Sequence, residues 1–288
     1  MVAAAPRQSI KVGDIRLTYL PDGETRLNPT AFFPASTEDA WKLHPEWLDG
    51  DGQLLCSLGG LLVETGDRRV LIDTGFGPRH AEFPGFGPFD GGRLLQSLSE
   101  HGHEPGQIDT VVFTHLHLDH VNASVRREGD GWALAFPRAK FLVRETEWHH
   151  WVGKNDPTGM YEETETAIRD RVDLCDADAA VAPGVTLVST PGHTPGHTSV
   201  VIASGTDRAI VLGDVLHCPV QLEEEEWGCV FDVDPVLARA TREKMLAELE
   251  GSGAVAAGGH FSDFTFGRCM RGEGRRVWSV HRAMAGTG

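Results

Sequence analysis

The run Thr110-Val111-Val112-Phe113-Thr114-His115-Leu116-His117-Leu118-Asp119-His120 joins a short apolar strand to three histidines and an aspartate. Its first five residues are β-branched or aromatic, the types that suit a pleated, half-buried surface. If the chain stays extended beyond Thr114, residues 115, 117 and 119 share one side and His120 takes the other. A turn after Asp119 would then bring the fourth donor round. Fourteen histidines and twenty-one aspartates scattered over 288 positions would produce H-x-H-x-D-H about 0.002 times. The pattern is a signal, and imidazole with carboxylate is a donor set for divalent metals.

Three later segments share one arrangement of apolar strand, glycine and metal-type donor. Val185 to Thr190 leads through Pro191-Gly192 to His193, Ala209 to Leu212 through Gly213 to Asp214, and Ala254 to Ala257 through Gly258-Gly259 to His260. Taken singly, each donor reads as a hydrogen-bonded structural residue. Their common placement at the carboxyl ends of strands puts them on one crevice. Further strands are expected at Ile15 to Leu20, Gly60 to Glu64, Val70 to Asp73, Lys140 to Arg144 and Ser199 to Ala203. Several are continuous apolar runs, as in strands covered on both faces. Helical patterns run from Gly92 to His101, Thr158 to Asp170 and Pro235 to Leu249, the last with Gly251 as its stop. Sheets with helices outside them are the expected architecture.

Composition narrows the function. Lys and Arg number 26 against 42 Asp and Glu, a net charge of -16, which repels phosphate backbones and excludes a nucleic-acid scaffold. No apolar run approaches the roughly 20 residues that span a bilayer, and Met1 to Gln8 does not read as a secretion signal, so a cytoplasmic protein without a membrane partner is expected. Cysteines 56, 175, 218, 229 and 269 are odd in number and lack C-x-x-C spacing, so they read as reduced thiols. The acidic run Glu223 to Glu226 reads as a solvated loop. No linker interrupts the chain, so 1–288 is expected to be a single domain, with residues about 21–55 as an N-terminal loop or cap. Phe32, Phe33, Trp41 and Trp47 in that segment, and Phe83, Phe86 and Phe89 further on, would enter the core or line a pocket, and the N-terminal set could instead serve a homodimer interface.

The donor pattern resembles the metallo-β-lactamase-fold hydrolase superfamily, with Leu71-Ile72-Asp73-Thr74-Gly75 matching a second family motif. The resemblance implies an α/β (α+β) fold, a four-layer αββα sandwich with two divalent metal ions at one edge of its sheets. It assigns His115, His117 and His193 to one ion, Asp119, His120 and His260 to the other, and Asp214 to the bridge. Asp73 takes a structural hydrogen-bonding role. Such donors suit Zn²⁺, with Mn²⁺, Fe²⁺ or Co²⁺ as alternatives. The implied reaction is hydrolysis by a bridging hydroxide, with Asp119 able to take up its proton.

Within the superfamily, Asp214 in place of a Cys ligand argues against class B lactamases. His117 departs from the H-x-E-x-D-H of flavin-linked diiron reductases, and the acidic surface argues against nucleases. Thr190-Pro191-Gly192-His193-Thr194-Pro195-Gly196-His197-Thr198 is similar to the branch of acyl-homoserine lactone lactonases and methyl parathion hydrolase-like enzymes. The lactonases carry a Tyr three residues after the bridging Asp; here that residue is His217, as in the methyl parathion hydrolase-like members. His217 is expected either to contact substrate or its leaving group, or to pack behind the ligands. His197 is expected to make a structural hydrogen bond. His149 and His150 belong to a partly exposed aromatic segment, and Cys218 is not a nucleophile. The resulting expectation is a hydrolase of a small, neutral, fairly apolar ester or lactone. A phosphotriesterase, a glyoxalase II-like thioesterase and a catalytically inert metal-binding or regulatory protein are its rivals.

Overall fold

Side-chain alternation along the apolar runs decides which face of each strand meets which layer. The computed structural model of the chain describes residues 2–263 and 265–281. The first half supplies β1 (Gln8–Val12), β2 (Ile15–Leu27), β3 (Leu54–Thr65), β4 (Arg68–Ile72), β5 (His80–Phe83), β6 (Gly87–Asp90) and β7 (Thr110–Val112). A separate hairpin, β8 (Val125–Glu128) and β9 (Gly131–Leu134), precedes β10 (Lys140–Arg144) and β11 (Val172–Cys175). These strands, the hairpin apart, form a nine-stranded sheet in the order β11-β10-β7-β4-β3-β2-β6-β5, with β1 also on β2. The second half supplies β12 (Ala180–Ala182), β13 (Val185–Ser189), β14 (Thr198–Ser204), β15 (Asp207–Val211), β16 (Val255–Ala257), β17 (Phe266–Gly272) and β18 (Arg275–Val280), which pair in chain order as a seven-stranded sheet.

The two sheets face each other. Val70 and Ile72 of β4, Leu61 and Val63 of β3 and Val112 of β7 share one core with Leu187, Val200, Ile202, Val211 and Ala257 from the other sheet. The intervening residues turn outward. Leu62, Leu71 and Val111 pack with Leu94 and Leu98 of α1 (Leu94–Glu100), Trp148 and Trp151 of α2 (Glu145–Trp151) and Ile168 of α3 (Glu162–Ile168). Ile210 and Ala256 pack with Met245, Leu246 and Leu249 of α4 (Pro235–Ser252). The layers run helix, sheet, sheet, helix, and the strands read as apolar runs because both faces are covered. Each fully buried Leu in these layers contributes about 1.5–3 kcal/mol.

Several expected boundaries move. Helix α4 starts as read, with Asp234 accepting from Leu237 N–H at 3.0 Å, but it continues through Gly251 and stops at Gly253, φ 62°. Of the segment about 21–55 expected as a loop or cap, only residues 28–53 lie between the strands, because β2 continues to Leu27 and β3 begins at Leu54. Pairing along the whole length of β2 and β3 holds those ends in the sheet. Between them, Asn28 caps one helical turn by accepting from Thr30 and Ala31 N–H, and Thr37 caps a second by accepting from Ala40 N–H. The Phe83 to Phe89 stretch is a β-hairpin that extends the sheet beyond β2. The acidic run lies in a solvated loop, as read, where Glu223, Glu224, Glu225 and Glu226 pair with Arg275, His44, Arg276 and Arg239 respectively.

Candidate metal centre

Strand direction gathers the donors. β4 and β7 are parallel, so Asp73 and His115 leave the first sheet from one edge. β13 and β15 each run antiparallel to β14, and β16 runs parallel to β15, so His193, Asp214 and His260 leave the second sheet from one edge too. The extended reading of 115–120 fails at its end. β7 stops at Val112, and Leu118–Val121 is a helical turn that presents Asp119 and His120. Leu118 N–H donates to Thr158 O at 2.9 Å, which bends the chain there.

Two donor groups result. Ligand atoms of His115, His117, His193 and Asp214 lie within 4.8 Å of one another, and so do those of Asp119, His120 and His260. In the first group His117 Nδ1 is 3.1 Å from His115 Nε2 and 3.0 Å from His193 Nε2. In the second, His120 Nε2 is 3.1 Å from His260 Nε2. Asp214 stands between the groups, its Oδ2 3.4 Å from His193 Nε2 and 3.2 Å from His260 Nε2, and its Oδ1 3.3 Å from His120 Nε2. Ring nitrogens facing each other at such distances repel unless a proton or a cation lies between them. Asp214 Oδ1 is buried without a hydrogen-bond partner. Burial pushes the imidazoles of His115, His117 and His193 well below their ordinary range, leaving them in the neutral form that binds metal. Burial works against the Asp214 carboxylate, yet the surrounding imidazoles, His120 foremost, hold its pKa well below the usual range. The residues fit two divalent ions.

A ring of hydrogen bonds aims these donors. His120 Nδ1 meets Asp73 Oδ2 at 2.9 Å, and His193 Nδ1 meets Asp232 Oδ1 at 2.8 Å. Thr114 Oγ1 lies 3.0 Å from His115 Nδ1, and Ser57 O lies 3.0 Å from His260 Nδ1. Asp73 has φ 58°, uncommon for a residue with a Cβ, and accepts from Thr114 N–H and Oγ1–H at 2.8 and 2.7 Å. Glu147 of α2, fully buried, accepts from Leu116 N–H at 3.0 Å and Gly196 N–H at 2.9 Å, so it ties the first donor loop to the loop of His193. His197 joins neither donor group and makes a supporting hydrogen bond instead. Burial pushes its pKa down to about 4, and its Nε2 accepts from Asp214 N–H at 2.9 Å. Gly213 makes that approach feasible: at φ 57°, a Cβ would sit 2.5 Å from His197 Nε2.

In front of the donors lies a cleft with a largely apolar wall. Phe32, Phe83, Phe86, Phe89, Phe231, Leu27 and Leu118 line it together with His117, Asp119, His193, Asp214, His217 and His260. Among the described residues its lining includes no Lys or Arg. The N-terminal aromatics divide as their positions dictate. Phe32 reaches the cleft, while Phe33 and Trp41 are buried against Trp227 rather than presented at a surface. His217 is buried, its ring edge-on to Phe32 at 5.3 Å, and its two ring nitrogens have no hydrogen-bond partner. His217 Nε2 lies 3.2 Å from Asp214 Oδ2 without hydrogen-bond geometry.

Other predicted residues fall outside this chemistry. His149 is exposed on α2 near Glu145, while Trp148 and Trp151 beside it are buried. Cys218 is buried and its thiol is pushed up to about 12, which leaves no thiolate at neutral pH. Asp232, Glu147 and Phe231 escaped the sequence reading. Each stands alone in a stretch without spacing that repeats another donor, and only the fold brings it to the site.

The Metallo-beta-lactamase superfamily model matches residues 61–260, so the chain belongs to that superfamily, as a metal-dependent hydrolase. An N-acyl homoserine lactonase from Bacillus thuringiensis is 25% identical over 248 residues, covering 82% of this chain and 89% of that protein. The solved structure of AidC, a dizinc quorum-quenching lactonase in complex with a product, matches with TM-score 0.82 at 24% identity, over 98% of this chain and 99% of that one. The structure of AbOPH, a hydrolase in the beta lactamase superfamily, matches with TM-score 0.82 at 27% identity, over 98% and 99% of the two chains. Among the described residues no helix is long and apolar enough to cross a membrane.

Proposed function

We propose that the chain hydrolyses a small, neutral, fairly apolar lactone or carboxyl ester. The observation that carries this reading is the cleft itself, walled by phenylalanine, free of Lys and Arg among the described residues, and open onto both donor groups. An anionic substrate would find no cation along that wall, whereas an acyl or alkyl chain would be covered by it. The relatives named as N-acyl homoserine lactonases support the same reading. His115, His117 and His193 would hold one ion, Asp119, His120 and His260 the other, with Asp214 shared. Zn²⁺ is the ion this N and O donor set suits first. When bound, the two ions would supply an activated water and polarise the carbonyl.

The chain's own residues do the rest. Asp119, partly exposed at the cleft, is placed to take up the proton of the attacking water. His217, with unpaired ring nitrogens on the cleft wall, is placed to contact the leaving oxygen. The phenylalanine wall positions the substrate and keeps bulk water from the reacting carbonyl.

The test is a panel of lactones, aryl esters, thioesters and phosphotriesters, each assayed after Zn²⁺ or Mn²⁺ is restored. Lactones or carboxyl esters with apolar chains should give the highest kcat/KM. A phosphotriester or thioester ranking first would overturn the substrate assignment, and inertness toward the whole panel would overturn catalysis.

A further inference from the structure

We propose that Glu64, His101 and His103 form a separate site for a divalent transition-metal ion, at the end of the central strands of the first sheet opposite the cleft. Their ligand atoms lie within 4.8 Å of one another. His103 Nε2 is 2.9 Å from Glu64 Oε1, and His101 Nε2 is 3.4 Å from Glu64 Oε2. The 3.4 Å separation is like the 3.2–3.4 Å found between nitrogen and carboxylate oxygen around Asp214, and the 2.9 Å one is a hydrogen bond that an entering ion would replace. Two imidazoles and one carboxylate suit a borderline ion such as Zn²⁺, with solvent completing the shell.

The site is built rather than fortuitous in three respects. His101 and His103 flank Gly102, which takes φ 89° where α1 ends. The N–H groups of both histidines bond back to Leu98 O at 3.1 Å, so the turn that carries the two rings is fixed. Glu64 comes from a strand in the middle of the sheet, paired on both sides with Arg16 and Arg69. A helix carboxyl end also bears partial negative charge, which favours a cation. The side chains of His101, His103 and Glu64 keep 13%, 13% and 26% of their exposure, enough for an ion to enter from solvent.

The surroundings are mixed in charge. Arg16 Nε lies 3.9 Å from Glu64 Oε2 and opposes an incoming cation, while Thr18 Oγ1 lies 3.3 Å from His101 Nε2 and offers a further oxygen. Arg16 is half-exposed, with 51% of its side-chain surface open, and can swing to solvent when an ion arrives. Register separates this site from the catalytic one. Glu64 pairs with Arg69 near the amino end of β4, whereas Asp73 follows its carboxyl end, about 13 Å further along the strand. An ion here would pin the end of α1 to β3 without touching the cleft.

The experiment compares Zn²⁺ bound per chain, by elemental analysis at controlled free Zn²⁺, in the full chain and in the Glu64→Gln and His103→Ala variants. Each variant should bind about one ion fewer per chain than the parent, with kcat/KM on its best ester unchanged. Gln at position 64 still accepts a hydrogen bond from a histidine, so the fold has a second safeguard should His103→Ala unfold. Equal Zn²⁺ content in the parent and the Glu64→Gln chain would overturn the site. The readout is a difference of one ion, so it stands whatever the catalytic donors hold.

Discussion

The donor wall and the cleft wall of the centre are built on opposite rules. On the donor wall, His115, His120, His193 and His260 each have one ring nitrogen at 2.8–3.0 Å from Thr114, Asp73, Asp232 or Ser57. That bond sets the tautomer and stops the ring from turning, so the other nitrogen is aimed before any ion arrives. On the cleft wall, His217 is as deeply buried but tied at neither nitrogen. A buried polar group left unpaired costs about 1–3 kcal/mol, a cost that a bound partner removes. The contrast separates residues that keep the geometry of the centre from one that waits on what enters the cleft.

The largest test of that contrast removes the shared donor. Asp214→Ala should lower kcat by more than about 100-fold and reduce the ions held by both groups. A variant that retained its full metal content would break the idea of a shared carboxylate. Next comes Asp232→Asn, which keeps an acceptor near His193 Nδ1 but removes its charge. Metal affinity should weaken by about tenfold or more while the thermal midpoint of the metal-free chain moves little. Smaller again, His217→Ala should lower kcat by about tenfold with metal content unchanged, as measured on one protein preparation. If the metal content fell with kcat, His217 would belong to the donor wall.

The sequence disclosed the donors far better than their supports, for a physical reason. His115, His117, Asp119 and His120 are neighbours in the chain, and His193, Asp214 and His260 each follow a strand and a glycine, so local patterns carry them. Asp232 and Glu147 reach the centre only through tertiary packing, Glu147 from a helix whose sequence shows clustered aromatics and no donor spacing. The apolar strands were legible because both faces are covered. The β5–β6 hairpin was not, since Pro84, Pro88 and three glycines between Gly85 and Gly91 read as loop until β2 pairs with β6. The turn at Leu118 was hidden too, because its cause is Thr158 O, forty residues away.

The smallest effect sharpens the cleft side of the comparison. Phe231 is half-buried on the cleft wall, with its ring 5.2 Å from Phe86 and 6.1 Å from Phe32. It touches none of the hydrogen bonds that aim the donors through its side chain, so Phe231→Ala should leave metal content intact. What it removes is apolar contact with the substrate, about 1 kcal/mol, or roughly fivefold in KM for a substrate with a long acyl chain. Because that contact is equal in the bound substrate and the transition state, kcat should hold. Shortening the acyl chain should shrink the difference between variant and parent, since the shorter chain no longer reaches the missing ring. A fall in kcat at constant KM would place Phe231 among the residues that shape the reacting centre and would erase the division between the two walls.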